Sequence, residues 1–443
     1  MSTFASPSRT GPTLGPVLVF GFGSAVALWT AWFVTHIPSV GVSDELHAGV
    51  LLGIWLLAMV WAGAAARWQA AVGAGLTTSI LGLLLLGTKL GTQAGEAHPE
   101  RPPAAFIVLG FLALGAVLGL VGGLIGSMFP RRASQASTRD WLHRFAFVTV
   151  AAAAPLLFIG GLVTSTNSGM AVPDWPRTYG VNMFLYPLGG AGVPIFLEHS
   201  HRLFGTLLGL STLVLMVWAF VSEPRKWVRI WAASVFGGVC LQGVLGGVRV
   251  VENSHGIAVV HGVLAQFILA GLVALGVILW ARPERASLST PFPKPRRVRS
   301  FATGALHTTL LQLFLGALYR HLRVPHALYA HIAFSFVVLF AAILGGFAAV
   351  AVPRGCGPVA NALRRCGAWM VGTVTLQFLL GWAALGMGTG RDPASTAAAI
   401  VRTAHQANGA LLLGLTTAAA VLAKILYRYV APAEPVAAPV QAA

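Results

Sequence analysis

Twelve long apolar runs dominate this chain and leave it few choices of fold. Each has about 18 or more residues with almost no charge, enough to cross the hydrocarbon core of a bilayer as an α-helix. The runs begin near residues 15, 47, 70, 104, 143, 201, 229, 256, 302, 327, 368 and 403. Only 9% of the 443 residues are charged, whereas a soluble domain has about 25%. The sequence therefore predicts an all-α polytopic membrane protein with about twelve transmembrane helices.

The loops between the runs fall into two sets that differ in charge. Alternate loops contain clusters of arginine and lysine, as in 131–139, 225–229, 282–299 and 354–365, and the other set contains most of the acidic residues. Because basic loops stay on the cytoplasmic side, we expect both termini in the cytoplasm and the chain in the inner (cytoplasmic) membrane of the cell. The bases are spread over separate loops, so the net charge of +17 does not indicate nucleic-acid binding.

Three alternate runs share one motif, in which a leucine and a glutamine are followed four residues later by a glycine. The copies are Leu241–Gly246, Leu311–Gly316 and Leu376–Gly381, and Leu156–Gly161 is a weaker copy without the glutamine. The glycine allows helices to pack closely in lipid. An intramembrane amide needs a hydrogen-bond partner. The motif therefore predicts a polar partner for each glutamine.

The intervening runs each carry a histidine within their first two turns: His201, His261, His331 and His405. The predicted topology places all four at similar depth, near the outer face. We interpret the two sets of helices as a duplication that forms two tandem four-helix bundles. The predicted domains are an accessory segment of about four helices (1–135), a first half (140–281), a second half (300–428) and a disordered tail (429–443).

The four histidines are candidate iron ligands. A single histidine in a membrane helix is commonly a packed or hydrogen-bonded residue, but four at matching positions of a repeat indicate a shared role. Two neutral imidazoles that face each other across a bundle can ligate haem iron. Zinc and copper sites would need acidic or thiolate ligands that the sequence does not offer at this depth. We therefore predict two haem sites, with His326 as an alternative ligand to His331.

Arginines at the predicted outer helix ends could bind the haem propionates. Arg202, Arg249, Arg320 and Arg402 all lie there, where a guanidinium can pair with a carboxylate while it stays near water. The alternative for each is a side chain that simply extends to the interface. Glu198 precedes His201 by three residues, so both lie on one face of a helix. It is either a charge that favours the helix dipole or a carboxylate that moves protons beside the haem.

The longest predicted outer loop, 164–198, strengthens the functional interpretation. It is rich in glycine, proline and aromatic residues, including Trp175 and Tyr179. Long loops within compact domains commonly carry function, although these two aromatic residues could also belong to an interfacial belt. His47 opens an early helix in the same way as the four candidate ligands, but no partner histidine opens the fourth helix. The role of this accessory segment stays open at this point.

Several motifs resemble the CtaA-type haem A synthase family, known in mitochondria as the Cox fifteen protein. The resemblance is closest from Gly160 to Pro176 and in Glu198-x-x-His201-Arg202. It continues through Val260–Gly262, Leu311–Arg320, Ala330–His331 and Thr403–Gly409. It covers about residues 140–428 and implies eight helices in two similar halves, each with a histidine pair. Many bacterial members have a cysteine pair in the first outer loop, and this chain has none there.

The resemblance also implies an activity. Family members oxidise a ring methyl of haem O to a formyl group, which gives haem A for cytochrome c oxidase assembly. By position, His201 and His261 would ligate the substrate haem O, His331 and His405 would ligate a haem b cofactor, and Glu198 would be catalytic. The expected partners are the lipid bilayer, haem O, an unidentified electron donor, haem O synthase and a further copy of the chain.

Two other functions are compatible with the same residues. A b-type cytochrome would hold two permanent bis-histidine haems and pass electrons without changing either of them. A transporter would fit the twelve helices, but the repeat is parallel and shows no paired broken helices. Haem binding follows from the repeat, whereas haem oxidation follows mainly from the resemblance around Glu198.

Overall fold

The computed structural model describes residues 14–38, 40–90, 103–129, 137–286, 294–390 and 395–430. In this part of the chain, twelve helices are long and apolar enough to cross a membrane. The predicted all-α polytopic membrane fold is therefore confirmed. The predicted disordered tail lies outside the described residues from position 431 onward.

The chain divides into two compact units, residues 1–258 and residues 259–443. The helices of the first unit are α1 (Leu14–His36), α2 (Asp44–Ala65), α3 (Trp68–Leu90), α4 (Ala104–Ser127), α5 (Thr138–Ser165), α6 (Val193–Ser222) and α7 (Lys226–Val251). A short antiparallel ribbon, β1 (Arg177–Thr178) and β2 (Val181–Asn182), lies in the long loop between α5 and α6.

The helices of the second unit are α8 (His255–Trp280), α9 (Pro283–Ala286), α10 (Pro295–Leu322), α11 (Pro325–Val350), α12 (Pro358–Gly386) and α13 (Thr396–Val430). The first residues of α8 still belong to the first unit. The boundary between the two compact units therefore lies between residues 258 and 259 and not between residues 281 and 300. The two predicted halves, 140–281 and 300–428, stay a prediction.

Small residues bring the N-terminal helices of the first unit close together. α4 packs against α2 and α3, and α1 packs against α2, α3 and α5. A side chain at Gly119 of α4 would collide with the backbone of α3 at Ala71 and Val72. Lipid offers no hydrophobic drive for helices to associate, so such close van der Waals contact holds them together.

In the second unit, α10 to α13 form a four-helix bundle. α10 packs against α11 and α13, α11 against α12, and α12 against α13. The bundle interior is apolar and includes Val338 and Ala342 of α11, Val374 of α12 and Leu412 of α13. In this arrangement, the N-terminal parts of α11 and α13 lie at the same end of the bundle.

Two of the histidine-bearing helices begin earlier than the apolar runs suggest. α6 begins at Val193 and α13 at Thr396, so His201 and His405 lie in the third turn and not within the first two as predicted. Pro194 explains the early start of α6, because proline is favoured in the first turn of a helix. Glu198 is consequently inside α6, not at its N-terminus, and the long loop is 166–192.

Candidate functional site

His331 and His405 face each other inside the four-helix bundle of the second unit. Their ring centroids are 6.2 Å apart, and the ring planes are nearly perpendicular, at 80°. Both side chains are mostly shielded from solvent. His326, the alternative ligand, is exposed in the first turn of α11. The structure thus brings together His331 and His405, as the repeat predicts.

The separation of the two rings suits an iron atom between them. Opposite metal–nitrogen bonds of about 2 Å, with about 1.2 Å from each nitrogen to its ring centroid, require centroids about 6.4 Å apart. The observed 6.2 Å is close to this value. No cluster of three or more His, Cys, Asp or Glu side chains with metal-binding geometry occurs in the described residues. The imidazoles of His331 and His405 are the pair that could hold an iron atom here, and a pair of this kind is typical of haem iron.

Hydrogen bonds orient the ring of His331. Its Nδ1 lies 3.1 Å from the backbone oxygen of Gln312. Because a carbonyl can only accept, Nδ1 carries the proton and Nε2 keeps the lone pair that a metal requires. The Gln312 side chain in turn donates from Nε2 to the backbone oxygen of His331 at 2.8 Å. The glutamine of the repeated motif therefore finds its partner at the histidine.

The corresponding glutamine on α12 also contacts a histidine, but its side chain faces the imidazole ring of His405 and not the backbone. Gln377 Nε2 lies 3.3 Å from Nδ1 and 3.4 Å from Nε2 of His405. Asn408 donates to Gln377 Oε1 at 2.8 Å and fixes the amide orientation. The predicted polar partners of these two motif glutamines are thus confirmed.

A glycine of the preceding helix makes room for a histidine ring in both units. A Cβ atom at Gly316 would lie 3.0 Å from Cε1 of His331, and one at Gly381 would lie 3.1 Å from Cε1 of His405. In the first unit, the glycine at the corresponding contact is Gly160, the neighbour of Gly161 in the weaker motif copy, and a Cβ atom there would lie 2.9 Å from Cε1 of His201. Close helix packing is therefore only part of the reason for the motif glycine, because its more specific role is to accommodate an imidazole.

Two arginines of the second unit bind the loop between α12 and α13. Arg402 Nη2 donates to the backbone oxygen of Gly388 at 2.9 Å. Arg323, which the sequence analysis does not single out, donates to the backbone oxygens of Thr389 and Gly390 at 2.6 and 3.0 Å. The Nη1 atom of Arg402 is buried without a hydrogen-bond partner in the described part of the chain. A buried guanidinium donor three residues from His405 suits an anionic group such as a propionate.

In the first unit, Glu198 is buried beside His201 and fully engaged. The residue as a whole is 4% exposed. Oε1 accepts from Arg202 Nη2 at 2.9 Å, and Oε2 accepts from the backbone N–H of Val172 at 2.8 Å. The long loop thus closes directly over the carboxylate. Such charge-assisted bonds are about twice as strong as neutral ones, so they hold the carboxylate in one position.

The guanidinium of Arg202 is bound mainly to the long loop. Besides Glu198, its guanidinium donates to the backbone oxygens of Asp174 at 2.7 Å, Val172 at 2.9 Å and Arg177 at 3.1 Å. These bonds use Nη1 and Nη2 within the protein. Arg202 therefore joins the catalytic candidate to the loop, and the propionate-binding role predicted for it has no support in this geometry.

Asp174 organises the tip of the loop. The turn between β1 and β2 has positive φ at Tyr179 and Gly180, as a two-residue hairpin turn requires. Their backbone N–H groups donate to Asp174 Oδ1 and Oδ2 at 2.8 and 2.7 Å. Partial burial alone would raise the pKa of Asp174, but these hydrogen bonds and the charge of Arg202 outweigh it and lower the pKa. The carboxylate is thus stabilised in its charged form.

α7 also contacts the long loop. The Trp175 ring lies against Gly247, where an added Cβ would overlap the indole. The guanidinium of Arg249 lies against Gly169 and interacts electrostatically with Glu198. Glu198 therefore has two arginines near it, and Arg249 is the one whose predicted propionate contact stays a prediction.

The other candidate residues have less defined surroundings. Arg320 is partly buried in the last turn of α10. Gly262, next to His261 on α8, lies near His321 of α10, with 3.6 Å from its would-be Cβ to Nε2. His47 packs edge-on against His36, with ring centroids 4.0 Å apart. That separation is far shorter than the roughly 6.4 Å a bis-histidine iron needs, so this pair does not form a third haem site in this arrangement.

Sequence reasoning missed three features of the site. Arg323 and the loop contacts of Arg202 leave no pattern in the sequence, because they depend on where backbone carbonyls lie. The third feature is buried His199, whose Nδ1 lies 3.2 Å from Thr178 Oγ1 and which is not among the candidate ligands that the repeat singles out. The role of the motif glycines could have been predicted from the sequence, because each of them lies on the helix that precedes a histidine-bearing helix.

Comparison with known proteins supports the resemblance noted above. Residues 143–330 match a family model described as cytochrome oxidase assembly protein. A heme A synthase of Exiguobacterium sp. is 29% identical over 175 residues, which are 39% of this chain and 55% of that protein. A heme A synthase of Rhodopseudomonas palustris is 28% identical over 218 residues, 42% of this chain and 57% of that protein. One from Erythrobacter litoralis is 27% identical over 229 residues, 43% of this chain and 65% of that protein.

The extent of these matches is limited. The chain spans little more than half the length of the first of these relatives, and no solved structure matches it. The matched segment includes Glu198, His201 and His261 but ends just before His331. For residues 143–330, the match confirms the resemblance to CtaA-type cytochrome oxidase assembly proteins that the sequence motifs predict.

Proposed function

We propose that this membrane protein is a haem A synthase, which oxidises a ring methyl group of haem O to a formyl group. One observation carries the proposal: Glu198 is buried, held by Arg202 and Val172, and placed one helical turn from His201. Burial of a charged carboxylate costs desolvation free energy even when it is paired, and the position of Glu198 one turn from the proposed iron ligand favours a chemical role in addition to its contacts with the loop. The similarity to relatives named heme A synthase points to the same chemistry.

The residues around the long loop have distinct roles in this proposal. His201 ligates the iron of haem O, and the resemblance alone gives His261, which belongs to the second compact unit, the role of the other ligand. Glu198 accepts a proton as the methyl group is oxidised, because a carboxylate fixed by two hydrogen bonds keeps further lone pairs for this task. The loop that closes over Glu198 excludes water from the reacting edge of the porphyrin.

The second unit holds the cofactor. His331 and His405 ligate haem b, and Arg402 pairs with a propionate. Bound there, haem b supplies one-electron transfer, chemistry that no side chain provides. The backbone oxygen of Gln312 keeps the imidazole of His331 in a ligating orientation, and the amide of Gln377, which can only donate to the ring of His405, would have to release that ring when iron binds. Conversion of CH3 to CHO needs an oxidant that also supplies the formyl oxygen, which we propose is molecular oxygen: two O2, four electrons and four protons are taken up, and three water molecules are released. An electron donor is therefore required as a partner, and haem O synthase and a second copy of the chain are the other partners that we propose.

The proposal includes a location. We infer that the chain lies in the inner membrane with both termini in the cytoplasm, because the basic loops mark one side. The long loop and the histidine-bearing ends of the helices are then on the outer side. Fusions of a periplasmic reporter to the long loop and to the loop 223–225 test this orientation, with activity expected only for the long loop.

Product analysis tests the function. The full chain is expressed with a supply of haem O, and the extracted haems are separated and identified by mass. We expect haem A or its hydroxylated precursor with the wild type and neither with Glu198→Gln, which keeps the size and removes the charge. Arg177→Ala, an exposed change in the same loop, is the control and should keep the activity. If the wild type yields no modified haem although two haems are bound, the protein is a b-type cytochrome instead.

A further inference from the structure

The first helix of the chain packs against the helix that carries Glu198 and His201. Phe33 of α1 stacks on Phe196 of α6, with ring centroids 5.5 Å apart and an angle of 16°. Trp29 meets Phe204 edge to face at 5.6 Å, and Phe33 also meets Phe204 at 6.2 Å. All four side chains are at most 5% exposed. This aromatic seam consists of Trp29 and Phe33 on one helix and of Phe196 and Phe204 on the other.

The seam lies directly behind the site. Each residue turns an α-helix by about 100°, so Phe196 and Phe204 are about 80° apart around α6. On the same count, Glu198 and Arg202 are about 40° apart, and their mean direction is about 180° from that of the two phenylalanines. α1 therefore presses on the face of α6 opposite to the carboxylate and its arginine.

A second contact joins the N-terminal segment to the long loop. Gly87 of α3 lies against the backbone oxygen of Phe184, and a Cβ atom there would be 2.3 Å from that oxygen. The neighbouring Leu185 side chain also touches this point. The other end of the loop supplies the Val172 N–H that binds Glu198. Two separate helices of the segment thus support the two structures that hold Glu198.

We propose that α1 and α3 position the catalytic carboxylate, with Trp29, Phe33 and Gly87 as positioning residues for haem O oxidation. α1 fixes the rotation and depth of α6 through the aromatic seam, and α3 fixes the height of the loop above Glu198. Large aromatic pairs in tight contact resist helix rotation better than aliphatic contacts. This inference rests on the proposed function and gives the accessory segment a role at the reacting edge of the haem.

Paired variants separate positioning from mere stability. Phe33→Ala removes the stack on Phe196, and Phe33→Leu retains apolar bulk as a milder change. Gly87→Ala adds one methyl group against loop backbone, which cannot move without shifting the loop. The matched controls are Phe106→Ala, where the side chain is 68% exposed, and Gly53→Ala, where an added Cβ meets nothing within 4 Å.

The haem held by His331 and His405 serves as an internal reference. For each variant, kcat and KM for haem O conversion are measured, together with the redox spectrum and midpoint potential of both haems. We expect kcat to fall about 10- to 100-fold in Phe33→Ala and Gly87→Ala, because small misplacements of reacting groups have effects of this size. Phe33→Leu should recover part of kcat. The signature of the haem that depends on His201 should shift, and that of haem b should not.

Three results would overturn the inference. The first is a kcat in Phe33→Ala and Gly87→Ala equal to that of their controls. The second is an equal change in the spectra of both haems, which would mean that the segment only supports the fold. The third is an unshifted signature of the His201-dependent haem. If the wild type makes no haem A, the proposed function fails alone, and the spectral shift still decides whether the segment positions the site.

Discussion

Removal of Arg202 tests how the site is held together. Arg202 donates four hydrogen bonds, one to Glu198 and three to loop carbonyls, and the side chains of the pair are 10% and 5% exposed. Arg202→Ala leaves the charge of Glu198 buried with the Val172 N–H as its remaining hydrogen-bond partner and with Arg249 as the remaining nearby positive charge. Breaking a buried ion pair by deleting one partner costs about 3–5 kcal/mol. We expect a loss near the lower value, about 3 kcal/mol, because the freed carbonyls of Asp174 and Arg177 can reach water.

The measurement is the free energy of unfolding in mixed micelles, followed by the ellipticity of the helices. Arg202→Lys should recover less than half of the loss, because a compact ammonium cannot span Glu198 and the loop as a guanidinium fork does. Arg177→Ala removes an exposed positive charge from the same loop and should cost less than about 0.5 kcal/mol. In a double-mutant cycle with Glu198→Gln, we expect a coupling energy of at least about 1.5 kcal/mol.

The reasoning would be refuted by a small effect. If Arg202→Ala changed stability by no more than Arg177→Ala, or if its effect were the same with and without Glu198→Gln, the two side chains would not form a buried pair. Arg202 would then be available for a propionate, as the sequence alone suggests.

Two further predictions concern separate parts of the molecule. Gly316→Ala places a methyl group 3.0 Å from Cε1 of His331, so we expect a shifted haem b spectrum or weaker haem b retention. Gly304→Ala on the same helix has open space around the new methyl group and should behave as wild type. Equal spectra for both variants would contradict the packing argument. The lowered pKa of Asp174 means that its contribution to loop stability is complete above the ordinary pKa of the group and is lost as the pH falls through the lower pKa of the folded state. The protection of the Tyr179 and Gly180 amides, relative to their intrinsic exchange rate at each pH, should therefore be lost in the wild type only as the pH falls below the ordinary pKa of aspartate. In Asp174→Asn this protection should be low at every pH. Equal protection in the two proteins at all pH values would count against the Asp174 contacts.

The helices were predictable because lipid imposes a simple rule. Any backbone that crosses a bilayer must satisfy its own hydrogen bonds, so an apolar run of about twenty residues becomes a helix. Helix ends were less predictable. The run at His201 starts where polar residues stop, but α6 begins at Val193, because Pro194 and the burial of Phe196 against α1 extend it. Tertiary contacts that decide helix ends leave little trace in local hydropathy.

The histidines and the glutamine motif were predictable because they repeat. His331 and His405 occupy matching positions, and the structure brings their rings together. The partner of Gln312 was expected only as some polar group, and the structure identifies it as His331. In contrast, the bonds of Arg202 to backbone oxygens could not be foreseen, since every residue has a carbonyl and only the path of the loop decides which ones it meets. The contact of Gly87 with Phe184 is hidden for the same reason.

The haems that copurify with the full chain provide the most direct test of the account. Wild type, His201→Ala and His405→Ala are purified from cells that supply haem O, and the haems are extracted and identified. We expect haem b together with haem O or its oxidised products in the wild type. His405→Ala should lose haem b and keep haem O, and His201→Ala should lose haem O and its products and keep haem b. Loss of the same haem from both variants, or a wild type without bound haem, would contradict the assignment of the two histidines to separate haem sites.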